Sequence, residues 1–287
     1  MQKGKTDIIL VESGATKSDW RVLGEHGNVK NQAFLPGMNL STMRMEDILG
    51  ILSEAFDSGM FHGGIKGFYL YAAGVVTDSV RDKLTTYLKS RADIDDVDIE
   101  DDLTGAARAV CGHSPGIAAI LGTGSNACFY DGTAVSREVY SGGYILGDEG
   151  SAATLGKLFL SDYLKGMVPE NVAEDFRRSF DSTYTAIIDG VYHSASPSAF
   201  LGSLAPFIVS YMDVPYISGL IKGNFKAYID RILTRYDVSK YPVGIVGSFG
   251  WACRDILVPM LEQSGITVSK VIKDPVDELC KYHIVSR

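Results

Sequence analysis

Three short runs of small and hydroxyl residues are the parts of this sequence best suited to chemistry. They are Glu12-Ser13-Gly14-Ala15-Thr16-Lys17-Ser18-Asp19, Gly122-Thr123-Gly124-Ser125-Asn126 and Gly247-Ser248-Phe249-Gly250, and each follows an apolar run. Small side chains let backbone N–H groups approach an anion closely, and hydroxyls add further donors. One such turn is usually a plain hairpin. Three at corresponding strand ends suit a clamp on the phosphates of a nucleotide. Two other patterns fail on inspection. Gly4-Lys5-Thr6 resembles the end of a P-loop, but that motif needs a glycine five positions before its Gly-Lys pair, and none precedes it here. Gly122 to Ala127 fits a loose dinucleotide fingerprint, which requires a helix next. Ala127-Cys128-Phe129-Tyr130 instead leads into Asp131-Gly132, a hairpin signal, so a strand follows.

The elements that must carry these turns can be read from hydrophobic period and turn residues. Apolar strands are predicted over 7–12, 17–23 and 29–35, forming a meander. A helix over 43–61, a buried strand over 67–73, a helix over 78–88, a short strand over 97–99 and a helix through Ala109 follow. The pattern then restarts with strands over 116–121, 125–130 and 133–139. A mainly helical stretch runs over 149–233, then a strand over 242–246, a turn over 247–250, a helix over 251–263, a strand over 268–272 and a last helix over 276–284. Both halves open with strand, small polar turn, strand. We read two related lobes, each a mixed sheet covered by helices, and not a solenoid, because there are two copies and not many. The N-terminal lobe spans 1–108 and the C-terminal lobe 109–287, with the last helix, about 275–287, free to pack back on the first lobe.

The bulk numbers exclude several classes. With 287 residues, 46% hydrophobic and 22% charged, the chain can build cores without metals or disulfides. A net charge of −8 argues against a nucleic-acid partner, since phosphate backbones want a basic face. Cys111, Cys128, Cys253 and Cys280 show neither zinc nor redox spacing, and read as reduced residues of a cytoplasmic protein. The five histidines form no metal spacing. No signal-peptide pattern and no apolar run of membrane-spanning length are present.

The motifs resemble a known family. Glu12-Ser-Gly-Ala-Thr-Lys-Ser-Asp is similar to the first phosphate motif of the N-acetylglucosamine kinases, Ile120-Leu-Gly-Thr-Gly-Ser-Asn to their second, and Val246-Gly-Ser-Phe-Gly to their adenosine motif. Gly147-Asp148-Glu149-Gly150-Ser151 matches their most characteristic element. These enzymes belong to the actin-like superfamily of acetate and sugar kinases, heat-shock chaperones and actin, beside ATPase activators of dehydratases and reductases. The resemblance implies an α/β fold of two ribonuclease-H-like lobes with ATP in the cleft between them. It also implies transfer of the γ-phosphoryl group to a sugar hydroxyl, usually the 6-hydroxyl.

Residue by residue, the resemblance implies Asp102 as catalytic base, where a strand meets a helix; a carboxylate there orients and finally deprotonates the acceptor hydroxyl. The other reading of that position is a helix N-cap, for which Asp is favoured anyway, and Asp101 is its rival as base. Gly14, Ala15, Thr16, Lys17, Gly122, Thr123, Gly124, Gly247 and Ser248 would meet ATP and its phosphates. Asn39, Thr123, Asn126 and Asp148 would hold the sugar, since an ionised carboxylate accepts from two hydroxyls at once. Asn39 could equally be a turn residue, and Glu149 either structural or an outer support. Glu12 would hold hydrated Mg²⁺, which prefers oxygen ligands and keeps waters. Ala occupies Ala72 where the acetylglucosamine enzymes can show Ser, and Leu40-Ser41 follow Asn39 where some relatives carry an aromatic residue. The partner implied is a small-molecule sugar, with neither nucleic acid nor membrane, and the reading allows a homodimer. Two other readings compete. One is an ATPase activator without a sugar acceptor, which the absence of a suitable cysteine pair opposes. The other is a sugar sensor.

Overall fold

A computed structural model describes residues 5–14, 17–61, 64–74 and 77–285. The chain forms two compact units, Met1–His113 with Pro275–Arg287, and Ser114–Asp274. The first unit contains β1 (Asp7–Ser13), β2 (Lys17–Leu23), β3 (Val29–Pro36), α1 (Met45–Asp57), β4 (Ile65–Ala72), α2 (Asp78–Arg91), β5 (Ile94–Asp101) and α3 (Asp102–Cys111). Its sheet runs β3-β2-β1-β4-β5, with the first two pairings antiparallel and the last two parallel.

The second unit contains β6 (Gly116–Leu121), β7 (Ser125–Tyr130), β8 (Val135–Ser136), α4 (Gly143–Leu146), α5 (Ala152–Tyr163), α6 (Glu170–Ser179), α7 (Tyr184–Ile188), α8 (Pro197–Ser203), α9 (Ala205–Ser210), α10 (Pro215–Arg231), β9 (Val243–Val246), α11 (Ser248–Ala252), α12 (Arg254–Gln263) and β10 (Val268–Ile272). Its sheet runs β10-β9-β6-β7-β8. Read outward from β6, the order and directions repeat those read outward from β1: two successive antiparallel pairings on one side, two parallel pairings on the other. The duplicated architecture expected from the sequence is therefore present as two copies of one topology. A final helix, α13 (Val276–Val285), returns to the first unit and packs on α3 and β1. Among the described residues no helix is long and apolar enough to cross a membrane.

Three local expectations change. The strand expected over 133–139 shrinks to β8, because the Asp131 carboxylate accepts the N–H groups of Thr133 and Ala134, each at 2.8 Å, and takes them out of a ladder. The strand expected over 97–99 extends to 94–101, paired along its length with β4. The turn expected over 247–250 ends after one residue. Gly247 leaves β9 at φ +130° and α11 begins at Ser248; the helix expected over 251–263 is then broken at Cys253.

Strand alternation gives the first sheet two unlike faces. Ile9, Val11, Trp20, Val22, Phe68, Leu70 and Ile99 form an apolar core with α1 and α2 residues such as Leu52 and Leu84. The opposite face carries a buried polar network. Arg108 of α3 donates to the Tyr71 hydroxyl and to Asp98, both at 2.7 Å, and Tyr71 lies 2.7 Å from Nε2 of His283 on α13. The Tyr69 ring stacks on His283 with centroids 3.7 Å apart. The Tyr71 hydroxyl accepts from Arg108 and shares one further hydrogen bond with Nε2, beside a guanidinium that disfavours a second positive charge on the imidazole.

Burial and the Arg108 charge push the His283 pKa down to about 3, against some opposition from Asp98. A histidine in the unfolded chain titrates near the ordinary value of about 6.5. Between these values the unfolded chain binds the extra proton, so stability is complete above the upper one and is lost as pH falls through the window. The loss for one such group is on the order of 4 kcal/mol. Urea unfolding from pH 7.5 to 4 should therefore show a steep acid loss in the wild type and a shallower one in His283→Gln. Parallel slopes would assign the acid sensitivity elsewhere.

Candidate active site

In the second unit β6 and β9 are parallel neighbours, with Ile120 opposite Val246, so their carboxyl ends emerge side by side. The second and third turns leave from these ends, where ligands of open α/β sheets bind. A Cβ on Gly247 would lie 2.4 Å from the Leu121 carbonyl oxygen, at a φ that other residues rarely adopt. Only glycine lets the third turn approach the second so closely.

The start of α5 then orients the second turn. Ser151 caps the helix by accepting the N–H of Thr154 at 3.0 Å. The next two amides, which have no partner within the helix, donate outward: Ala152 to the Gly122 carbonyl at 2.9 Å and Ala153 to the Thr123 carbonyl at 3.0 Å. In a trans peptide the C=O of one residue opposes the N–H of the next. The N–H groups of Thr123 and Gly124 therefore point away from α5, the orientation an anion-binding turn needs.

Asp148 joins the same assembly. It is the one non-glycine with a left-handed backbone among the described residues, φ +56°, and is only 8% exposed. Its Oδ1 accepts the Ser125 N–H at 3.3 Å, and its Oδ2 would be 3.2 Å from a Cβ on Gly124. Burial raises its pKa, the Ser125 N–H opposes that, and the neighbouring Glu149 charge adds to it. The Asp148 carbonyl accepts from Ser151 N–H and the Thr154 hydroxyl, so its backbone is tied to α5 as well. Asn126 is half-buried on β7, and Thr123 is exposed at the turn. Thr123, Gly124, Asp148 and Gly247 are thus gathered around the second turn by hydrogen bonds and close packing, and Asn126 follows that turn on β7. Ser248 opens α11 directly after Gly247.

In the first unit the carboxyl ends of β1, β4 and β5 align: Glu12 is opposite Tyr71, which is opposite Glu100, and Ser13, Ala72 and Asp101 form the next row. Glu12 is half-buried at the end of β1, and Gly14 closes toward Lys17 through an N–H···O bond of 3.0 Å. Ala15 and Thr16 lie outside the described residues. The Lys17 ammonium sits 3.8 Å from the Phe34 ring centroid, a cation–π contact across β2 and β3. Asp101, not Asp102, caps α3: its Oδ1 accepts the Thr104 N–H at 2.8 Å and hydroxyl at 2.7 Å. Asp102 occupies the first helical position and is exposed. The capping role expected of this acidic pair therefore falls to Asp101.

Asn39 bridges to Ala73 in parallel register, which sets it beside the same strand ends. Its Oδ1 accepts the N–H groups of Ser41 at 3.0 Å and Thr42 at 3.1 Å, so the turn role is real and the amide NH₂ is the end left to meet a ligand. Ala72 is fully buried in the apolar core, so the departure from Ser there is a matter of packing.

Sequence reasoning missed three residues of α10. Asn224, Tyr228 and Arg231 reach the loop around Asp148, and their spacing along one helical face was the available signal.

No protein-family model and no curated protein sequence matches the chain. Solved structures do. One provisionally named N-acetylglucosamine kinase, from Porphyromonas gingivalis, is 34% identical over 97% of this chain and 99% of its own, with a TM-score of 0.87. Another, from Chromobacterium violaceum, is 22% identical over 98% and 99%, with a TM-score of 0.68. A Streptomyces griseus glucokinase of the ROK family, solved with glucose and AMPPNP, shares the fold at 15% identity and a TM-score of 0.60, over 96% of this chain and 97% of its own. Near full-length correspondence at the first of these identities, on a duplicated sheet topology with glycine-rich turns at its strand ends, means that the chain belongs to the N-acetylglucosamine kinase family of actin-like sugar kinases.

Proposed function

We propose that the protein transfers the γ-phosphoryl group of Mg-ATP to a hydroxyl, the 6-hydroxyl, of N-acetylglucosamine or a closely related amino sugar. The observation that carries this reading is the buried Asp148 carboxylate seated against Gly124 within the second phosphate turn. Burying a carboxylate disfavours its charged form. A site that keeps one buried and only partly satisfied is suited to a ligand that donates hydroxyl protons to it, as a sugar does.

Gly122, Thr123 and Gly124 offer amides to phosphate, with Gly247 and Ser248 beside them on the nucleotide side. Asp148, Asn126 and the NH₂ of Asn39 bind sugar hydroxyls, and Thr123 serves both ligands. In the first unit, Gly14 and the Ala15-Thr16 peptide receive phosphate oxygens. Lys17 joins them once its side chain leaves Phe34. Asp102 orients the acceptor hydroxyl and takes its proton as the new P–O bond forms and the bond to ADP breaks. Among the described residues no three His, Cys, Asp or Glu side chains cluster as a metal cage. Glu12 would hold Mg²⁺ through water, since the ion prefers oxygen ligands and keeps several of its waters. The ion would neutralise charge on the transferring group.

Coupled ADP release over N-acetylglucosamine, glucosamine, N-acetylmannosamine, N-acetylmuramic acid and glucose tests the proposal. ADP should appear only with sugar, and fastest with an N-acetylated hexosamine. Equal turnover without sugar would overturn it in favour of an ATPase.

A further inference from the structure

Asn224, Tyr228 and Arg231 stand at i, i+4 and i+7 on α10 and so share one helical face. Each makes a different contact with the loop that presents Asp148. The Asn224 amide accepts the Gly150 N–H at 2.8 Å and donates to the Ser151 carbonyl at 2.9 Å. It thus satisfies a donor and an acceptor of one short segment, and at 2% exposure neither bond competes with water. Tyr228 packs its ring where a Cβ on Gly150 would be, 2.7 Å from its own Cβ, and donates its hydroxyl to the Asn126 carbonyl at 2.9 Å. One buried side chain therefore ties the β7 end of the site to the Asp148 loop. Arg231 pairs with Glu149 at 2.9 Å, with its side chain 71% exposed.

We propose that this face of α10 is the positioning element for the acceptor: Asn224 and Tyr228 hold Asp148 and Asn126 in the one relative placement that binds the sugar, while Arg231 adds little. The inference rests on the reading of Asp148 and Asn126 as sugar ligands. Its physical basis is the left-handed Asp148 backbone. A non-glycine residue persists in that conformation only when its surroundings over-determine it. The α5 bonds hold the Asp148 carbonyl, and Asn224 of α10 holds the Glu149–Gly150 and Ser151–Ala152 peptide groups. Without α10 the loop has an alternative with Asp148 in an ordinary conformation and its carboxylate turned from Gly124. The exposed Arg231–Glu149 pair, screened by water, is too weak to impose the choice.

The test compares Tyr228→Phe, Asn224→Leu and Arg231→Ala with the wild type. Tyr228→Phe removes one oxygen and keeps the ring on Gly150, so it remains informative if Asn224→Leu fails to fold. With N-acetylglucosamine as acceptor, Tyr228→Phe should raise the sugar KM about tenfold or more. The KM for ATP and kcat should stay within about twofold, the pattern of lost acceptor binding and not of a damaged fold. Arg231→Ala should leave all three within about twofold, as a surface pair predicts. Hydrogen exchange gives a readout that needs no activity. Peptides over 123–127 and 147–152 should exchange faster in Tyr228→Phe, while β6 and β9 keep wild-type protection. Equal rises in both KM values, or unchanged exchange in the two segments, would overturn the positioning role. A wild type that phosphorylates none of the sugars would overturn the proposed function, and the exchange experiment would still decide whether α10 holds the loop.

Discussion

Asp102→Asn should lose phosphoryl transfer by about 10²- to 10⁴-fold in kcat, the range that one positioned general base supplies, while ATP binding measured by titration calorimetry stays intact. The neighbouring substitution gives the contrast. Asp101 holds the cap of α3 through Thr104, so Asp101→Ala should cost about 1 kcal/mol of stability and lower Tm by roughly 2–4 °C. Activity assayed well below that Tm should persist. Adjacent carboxylates at one strand end thus give opposite signatures, one in rate and one in melting. Full activity in Asp102→Asn would remove the base assignment, and loss of rate in Asp101→Asn at unchanged Tm would move it one residue back.

Asp148→Asn should separate binding from stability in the other direction. A hydrogen bond to a charged group is worth about 1.5–3 kcal/mol, so its loss should lower kcat/KM for the sugar by about 10- to 100-fold without changing the KM for ATP. Stability should not fall. Burial raises the Asp148 pKa on folding. Above its raised value the ionised group works against the folded state, and that penalty lifts as pH falls and the carboxyl takes up a proton. Asn carries no such penalty at pH 7, keeps an oxygen for the Ser125 N–H and tolerates the left-handed φ of this position better than most residues. Its Tm at pH 7 should equal or exceed that of the wild type. A large drop in Tm would mean that Asp148 is structural, and an unchanged sugar KM would remove it from the acceptor site.

How much of this was legible beforehand varies by element, for physical reasons. The long strands and the two opening hairpins were legible because continuous apolar runs such as Ile8 to Val11 and Ile117 to Leu121 are buried on both faces of a sheet. Strand β8 was misjudged because a single side chain, Asp131, redirects two amides that the propensity of Thr133 to Val139 assigns to a ladder. The break between α11 and α12 was equally hidden. Residues 251–263 are helical in character on both sides of Cys253, and the interruption there is a backbone detail.

The site divides in the same way. Residue type and order along the chain singled out the Gly122 to Asn126 turn, the Gly-Asp-Glu-Gly-Ser element and the acidic pair at Asp101-Asp102, because the phosphate and hydroxyl chemistry proposed for them needs particular groups at fixed short spacings. Tertiary structure alone decided which acid caps α3, that α5 turns the amides of Thr123 and Gly124 outward, that Lys17 rests on Phe34, and that α10 braces the Asp148 loop from about 75 residues away in sequence. Each of those outcomes is a competition among hydrogen-bond and packing partners that meet only when distant segments fold together, and local sequence holds only one side of it.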